Sequence, residues 1–182
     1  MMKKFFSLLV GIFILGNLQA QQPVIGTHWY SHTDSVFHFS FIYPENWKLK
    51  LPGTTARFFL TSPKETDNDN FLENINCRAR VIEQKGFTIK MAEAEIEKSL
   101  TEKLKDFKLI KKEYSTWNKS ETLEIEYTCT EKTGDKTYNI RILQRMAVIN
   151  DTMFTLTFTA EVNMYKMYLP TAKKIMGSLK VK

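Results

Sequence analysis

The chain has 182 residues, of which 43% are hydrophobic and 25% are charged. This balance is typical of one globular domain and excludes wholesale disorder and collagen-like repeats. The formal net charge is +6, and only seven glycines, five prolines and two cysteines are present. The sequence is therefore neither a loop-dominated chain nor a disulfide-stapled miniprotein.

The first twenty residues predict a secretory signal peptide. Lys3 and Lys4 precede an apolar run over residues 5–18, which is shorter than the roughly 20 residues that a membrane span needs. Leu18-Gln19-Ala20 supplies a cleavage site. An uncleaved N-terminal anchor is the alternative. No cysteine follows the run, so we expect an exported protein, periplasmic or extracellular, that is not lipid-anchored and has no membrane span after signal removal.

Removal of the signal peptide leaves a short lead-in over residues 21–34 and one domain over residues 35–182. It also removes two lysines, which leaves 24 basic residues against 20 acidic ones and a net charge of +4. This mild excess slightly favours anionic partners. It gives no dense basic patch of the kind that binds nucleic acid, so no nucleic-acid partner is expected.

Most of the domain alternates between apolar and polar residues with period two, which predicts β-strands. Short turns at residues 133–136 and 150–151 predict hairpins, and hence a largely antiparallel sheet. The predicted strands cover residues 37–43, 47–51, 57–61, 75–81, 123–130, 138–149 and 154–160.

Two segments have the apolar spacing of amphipathic helices. The first follows Thr88 as its N-cap and carries its apolar stripe from Ile89 to Phe107. The second covers about residues 164–176, where Pro170 is expected to kink the helix or to mark its start, and Gly177 can end it. The element order predicts an α+β fold with a central, largely antiparallel sheet.

Three motifs resemble the PsbP family. Residues 39–47 read Phe-Ser-Phe-Ile-Tyr-Pro-Glu-Asn-Trp, and residues 74–79 read Asn-Ile-Asn-Cys-Arg-Ala. The strand at residues 154–160 and the ending Ile-Met-Gly-Ser-Leu at residues 175–179 resemble the last strand and helix of that family. The resemblance implies a Mog/PsbP-type α/β/α sandwich, in which helices flank the sheet.

The family also bears on function. Its members include photosystem subunits, a Ran-binding protein and the bacterial envelope protein DcrB, which are mostly binding or assembly factors. Together with the predicted signal peptide and the absence of catalytic motifs, the resemblance therefore implies an exported, non-enzymatic envelope factor without a cofactor, whose partner is another envelope or secreted protein. Because fold alone fixes no activity, a second function stays open.

The second function is a carrier of a small apolar ligand or lipid, held in a cavity under the sheet. Aromatic residues make up 13% of the chain, and eight methionines add adaptable apolar surface. A hydrolase has less support, because the sequence contains no Gly-x-Ser-x-Gly, phosphate-binding glycine loop or His-Glu-x-x-His motif. No catalytic residue is predicted.

Metal ligands are considered at two places. His28, His32 and Asp34 lie close in sequence, but two histidines fall short of a zinc site. Residues 67–70 read Asp-Asn-Asp-Asn, yet Phe71 and Leu72 occupy the fifth and sixth positions, where a calcium loop needs an oxygen ligand and glycine. Neither place predicts a metal site.

The two cysteines allow two interpretations. An oxidising envelope permits a Cys77–Cys129 disulfide. Both residues also lie on apolar strand faces, where buried free thiols are common. The second interpretation is favoured, because a bond requires the two Cα atoms to lie within about 7 Å.

The polar positions of several strands predict one solvated face of the sheet. Cross-strand ion pairs would make this face an ordinary charged surface, which is the favoured interpretation. The alternative is a mildly basic contact surface for an anionic partner, because an unpaired guanidinium binds carboxylate or phosphate well. The candidate partner-binding residues are Arg78, Arg80, Glu124, Glu126, Arg141 and Arg145.

Overall fold

The computed structural model describes residues 28–53 and 56–182, so the predicted signal peptide lies outside the described residues. The predicted α+β class is confirmed. Among the described residues, two helices accompany two antiparallel sheets, and neither of these helices is long and apolar enough to span a bilayer. The helices are α1 (Ile89–Lys103) and α2 (Tyr165–Ser178).

The small sheet has three strands in the order β1–β2–β10, namely β1 (Trp29–Asp34), β2 (Phe39–Pro44) and β10 (Lys180–Val181). The large sheet has seven strands, and every neighbouring pair is antiparallel. Across the sheet these are β3 (Lys48–Lys50), β4 (Phe58–Thr61), β5 (Asn74–Val81), β9 (Thr152–Glu161), β8 (Lys136–Ile149), β7 (Ser120–Thr133) and β6 (Lys105–Trp117).

The larger apolar cluster lies on the side of the large sheet that faces α2. The central strands supply Leu60, Ile75 and Phe158, which the strand registers place side by side. The small sheet adds Phe39 and Phe41, both buried. From α2 come Tyr165, Tyr168, Ala172, Ile175 and Met176. We call this side the α2 side.

The second apolar cluster lies on the opposite side, which we call the α1 side. Its strand residues include Leu123, Ile125 and Ile142, and the buried residues Ile89 and Ala92 of α1 pack with them. Each side of the sheet is therefore half apolar and half polar. The apolar half lies on β4, β5 and β9 on the α2 side, and on β7 and β8 on the α1 side.

Strand β8 joins the two patterns because both of its sides are buried. Ile140 and Ile142 belong to the α1-side cluster, whereas Leu143 and Ala147 belong to the α2-side cluster. Along the sheet the apolar side thus changes from one face to the other at this strand.

Three local features differ from the sequence-based expectation. Helix α1 ends at Lys103, and Phe107 belongs to β6, a strand that the sequence does not predict. The predicted lead-in contains β1. Pro170 lies inside α2, so of its two predicted roles the one as the start of the helix is wrong. Strand β6 escapes prediction because it lies at the sheet edge with Trp117 as its one buried residue, so its apolar alternation is weak.

Candidate functional site

The six candidate partner-binding residues do not share one face. In the register of β5, β9 and β8, Arg145 lies beside Leu156, which lies beside Cys77. Arg78 and Arg80 alternate with Cys77 and project to the α1 side. The expectation of a common face is wrong, because β8 is apolar on both sides and the polar face changes there.

The other four candidates form a paired charge ladder on the α2 side. Arg141 donates from Nε to Glu126 Oε1 at 2.7 Å, and Arg145 donates from Nε to Glu124 Oε1 at 2.8 Å. The Arg145 and Glu124 side chains are only 16% and 15% exposed, so this pair is largely shielded from water. The Arg141 guanidinium also lies 4.4 Å from the ring centroid of Tyr165.

The charge-paired interpretation therefore describes these four residues. Lys111 and Glu113 on neighbouring β6 extend the ladder with a 2.6 Å ion pair. Burial and the nearby Glu126 carboxylate raise the pKa of Tyr165, which lies at the ladder's border with the core. Because each guanidinium already has a carboxylate partner, the ladder offers no unpaired arginine to a ligand.

Arg78 and Arg80 belong to a different surface, which we call the basic face. It is the polar half of the α1 side, on β3, β4, β5 and β9, and α1 does not pack against it. The registers place Lys48 beside Thr61, and Lys50 beside Phe59. The basic face consists of Lys48, Lys50, Phe59, Asn76, Arg78, Arg80, Thr155 and Thr157.

The basic face carries four exposed cations and no acidic residue. Lys48, Lys50, Arg78 and Arg80 are all exposed. None of them forms an ion pair within the part of the chain that the structure describes. Sequence reasoning missed Lys48 and Lys50, although their alternation with Trp47 and Leu49 is the signal that places them opposite the core.

A shallow hollow lies on the β3–β4–β5 part of the basic face. It encloses about 310 Å³, and its wall includes Phe59 and Asn76 with Lys50 and Arg78. Pro52 and Ala56 complete the wall. An aromatic ring, an amide and two cations therefore meet in this hollow. This combination suits a protruding acidic or polar side chain of a protein partner.

The segment that contains His28, His32 and Asp34 uses its carboxylate for structural contacts. Asp34 accepts the backbone N–H groups of Val36 and Phe37 and pairs with Arg57 at 2.9 Å. Although burial opposes it, these hydrogen bonds and the Arg57 charge lower the pKa of Asp34. Within residues 28–53 and 56–182, no three His, Cys, Asp or Glu side chains are placed to hold a metal ion.

The acidic loop at residues 67–70 is held by its own side chains. Asp69 accepts the backbone N–H of Phe71 at 3.0 Å and that of Glu65 at 3.3 Å. Asn70 donates its side-chain amide to the Asn68 carbonyl. These bonds stabilise the turn and leave Asp69 engaged within the loop.

Both cysteines are free and buried, so the structure contains no Cys77–Cys129 disulfide. Cys77 lies in the α2-side cluster and Cys129 in the α1-side cluster. Burial raises the pKa of both thiols, that of Cys129 to about 11. A nucleophilic cysteine needs the opposite shift.

One buried carboxyl was missed by the sequence reasoning. Glu73 is 1% exposed, and its Oε1 has no hydrogen-bond partner among the described residues. The Ser62 hydroxyl approaches Oε2 at 3.4 Å. Ile75 and Cys77 face the core, and Glu73 lies two residues before Ile75, so the alternation of β5 places Glu73 on the core side as well. This alternation is the sequence signal that could have identified the buried carboxyl.

Comparison with known proteins shows the fold. The sequence matches no protein-family model and no curated protein sequence. Cyanobacterial PsbP from Synechocystis sp. superimposes with a TM-score of 0.63 at 15% identity, over 92% of this chain and 100% of that one.

Two further structures agree. LpqN of Mycobacterium tuberculosis, which is involved in cell envelope biogenesis, gives a TM-score of 0.56 at 14% identity, over 84% of this chain and 91% of its own. PA94 of Pseudomonas aeruginosa gives a TM-score of 0.59 at 12% identity, over 85% of this chain and 98% of its own. Each of the three superpositions covers at least 84% of this chain, so the similarity extends over most of the domain. As the sequence motifs imply, the chain has the fold of the PsbP-like proteins.

Proposed function

We propose that this chain is an exported, non-enzymatic binding domain of the cell envelope, an α/β/α sandwich of the Mog/PsbP type that docks an anionic partner protein on its basic face. The observation that carries the proposal is the set of four exposed cations without ion-pair partners. On the other side of the sheet, by contrast, the ladder neutralises its own arginines.

The basic face has the chemistry of a protein contact. Arg78 and Arg80 offer planar guanidinium groups, which bind carboxylates through two parallel hydrogen bonds. Phe59 supplies an apolar centre, and the threonines of β9 supply small polar side chains around it. Four cations on one sheet face also attract an acidic partner before contact and accelerate association.

Export and a non-enzymatic role are supported by observations outside the basic face. Export is supported by the predicted signal peptide and by the fold shared with LpqN, a protein of cell envelope biogenesis. A binding role is supported by the two buried thiols with raised pKa and by arginines that are engaged in structural pairs. These observations favour recognition over chemistry, although the fold alone would permit either.

The test is site-specific photo-cross-linking in living cells. A photoreactive residue replaces Lys50 on the basic face or, as the matched control, Lys111 on the opposite side. Both lysines lie exposed on edge strands of the same sheet. We expect Lys50 to capture a defined acidic protein that Lys111 does not capture. Capture from both positions, or from Lys111 alone, contradicts the basic face as the contact surface.

Binding to the captured protein is then measured with purified components by titration calorimetry. Arg78→Glu with Arg80→Glu should weaken binding about tenfold or more, because two attractive contacts become repulsive. The control pair is Lys166→Glu with Lys180→Glu, which makes the same charge change at exposed positions outside the basic face. Equal losses in both pairs would show a net-charge effect and refute a specific site.

A further inference from the structure

A crevice opens at the C-terminal end of α1, away from the basic face. Its volume is about 470 Å³, within the range of small-molecule sites. Leu104, Cys129, Ile140 and Ile142 form an apolar part of its wall. The last three are buried members of the α1-side cluster, so the crevice reaches into the core.

The crevice exists because α1 covers this half of the sheet incompletely. Only Ile89 and Ala92, near its N-terminal end, are buried. Ile96, Leu100 and Leu104 follow on the apolar stripe but remain partly exposed. The gap between helix and sheet is therefore at the end of α1, where the crevice lies.

Three lysines line the crevice beside its apolar wall. Lys103, Lys105 and Lys132 are exposed, and none of them forms an ion pair with a described residue. Glu131 is the one acidic residue of the lining. The carbonyl end of α1 adds partial negative charge, but three ammonium groups exceed both contributions.

We propose that this crevice binds an anionic amphiphile with a single alkyl chain. The chain lies against Leu104, Ile140 and Ile142, and the anionic head group contacts the lysines. Both the apolar wall and the cationic rim are needed to select an anionic amphiphile. The apolar wall alone would accept any apolar compound, and the lysines alone would accept any anion. The site is independent of the proposed function, because the basic face shares no residue with it.

The first test uses calorimetry with straight-chain carboxylates below their micellar concentrations. From octanoate to dodecanoate, affinity should rise about fourfold per added methylene until the crevice is full. Dodecyltrimethylammonium, which has the same chain and the opposite charge, should bind at least tenfold more weakly than dodecanoate. Absence of saturable dodecanoate binding, or equal affinity for both head groups, overturns the proposal.

The second test reverses charge at the rim. Lys103→Glu with Lys132→Glu should weaken dodecanoate binding at least tenfold. Lys85→Glu with Lys166→Glu is the matched control, since both lysines are exposed and neither lines the crevice. If the control pair weakens binding as much as the rim pair, the lysines of the crevice do not hold the head group.

Cys129 gives a direct readout of occupancy. It lines the crevice, so a bound alkyl chain covers it. Dodecanoate should slow alkylation of Cys129 at least fivefold, measured by peptide mass spectrometry at pH 9, whereas dodecyltrimethylammonium at the same concentration should slow it less than twofold. An unchanged rate at Cys129 in dodecanoate, or equal slowing by both amphiphiles, overturns the assignment.

Discussion

Glu73 is the one glutamate of the described chain that lies fully inside the core. Burial raises its pKa to about 7, and the nearby carboxylates Glu65 and Asp69 act in the same direction. Tyr168, from α2, donates its hydroxyl to Glu65, so that neighbour is itself held in place. A single buried carboxyl thus titrates near neutral pH because charge is costly there.

This environment predicts a pH-dependent stability. The folded pKa is about 7 against an ordinary 4.5, so the folded state holds a proton that the unfolded state has already lost between these values. The contribution is present below pH 4.5 and is lost as pH rises to 7, a change of about 3 kcal/mol. Urea unfolding should show that the stability of Glu73→Gln lies within about 1 kcal/mol of the wild type at pH 5 and exceeds it by up to about 3 kcal/mol at pH 8.

The exposed Glu83 provides the control for this effect. Glu83→Gln removes the same charge without changing the core, so its stability difference from the wild type should stay within about 0.5 kcal/mol at both pH values. If Glu73→Gln gives the same difference at pH 5 and pH 8, the Glu73 carboxyl does not titrate on folding.

At the scale of single elements, the β6–β7 hairpin ties the large sheet to the small one. Asn118 and Lys119 form its two-residue turn, with φ values of 49° and 64°. The Asn118 amide donates to the Leu179 carbonyl at 3.0 Å, and its Oδ1 accepts the Val181 N–H at 3.2 Å. Trp117 donates to the same Leu179 carbonyl through its indole N–H.

The turn predicts opposite effects at adjacent positions. Lys119→Gly should stabilise the protein by about 0.5–1 kcal/mol, because a left-handed backbone costs an L-residue more than glycine. Asn118→Gly relaxes the same strain but deletes two hydrogen bonds, so it should destabilise by about 1–2 kcal/mol. Thermal unfolding of both variants measures the difference, and a stabilising Asn118→Gly would show that the ties to Leu179 and Val181 contribute nothing.

Elements with strong local patterns are the ones that the sequence predicts. The alternation of Phe154, Leu156 and Phe158 and the apolar spacing of α2 both reflect burial against one neighbour. Strand β6 carries no such pattern, because as an edge strand it exposes four lysines, which also protect a sheet edge from further pairing. Its pairing with β7 is therefore what identifies it as a strand.

The candidate site was predictable only in part, for a related reason. The alternation within β5 correctly predicts that Arg78 and Arg80 are exposed. The alternation within β7 correctly predicts that Glu124 and Glu126 lie on the side of that strand opposite its apolar residues. Whether the two sets share a face depends on how the strands are joined through β8. Because β8 is apolar on both sides, its sequence does not reveal which polar side continues into β9.

At the scale of the whole molecule, the two apolar clusters are unequal. The α2-side cluster is closed by α2 and by the aromatic residues of β2, whereas α1, with Phe71 and Phe87 from the loops, covers the α1-side cluster. Six of the 14 residues of α2 are buried, but only two of the 15 residues of α1 are. Burial of apolar area is the main source of stability, so α1 should be held more weakly.

Matched substitutions in the two helices test this asymmetry. Ile175→Ala in α2 removes a buried side chain and should cost about 2–5 kcal/mol, whereas Ile96→Ala in α1 removes a partly exposed one and should cost about 1 kcal/mol or less. Native-state hydrogen exchange should likewise show α1 amides opening well below the global unfolding free energy and α2 amides opening close to it. Equal protection of both helices would contradict the asymmetry.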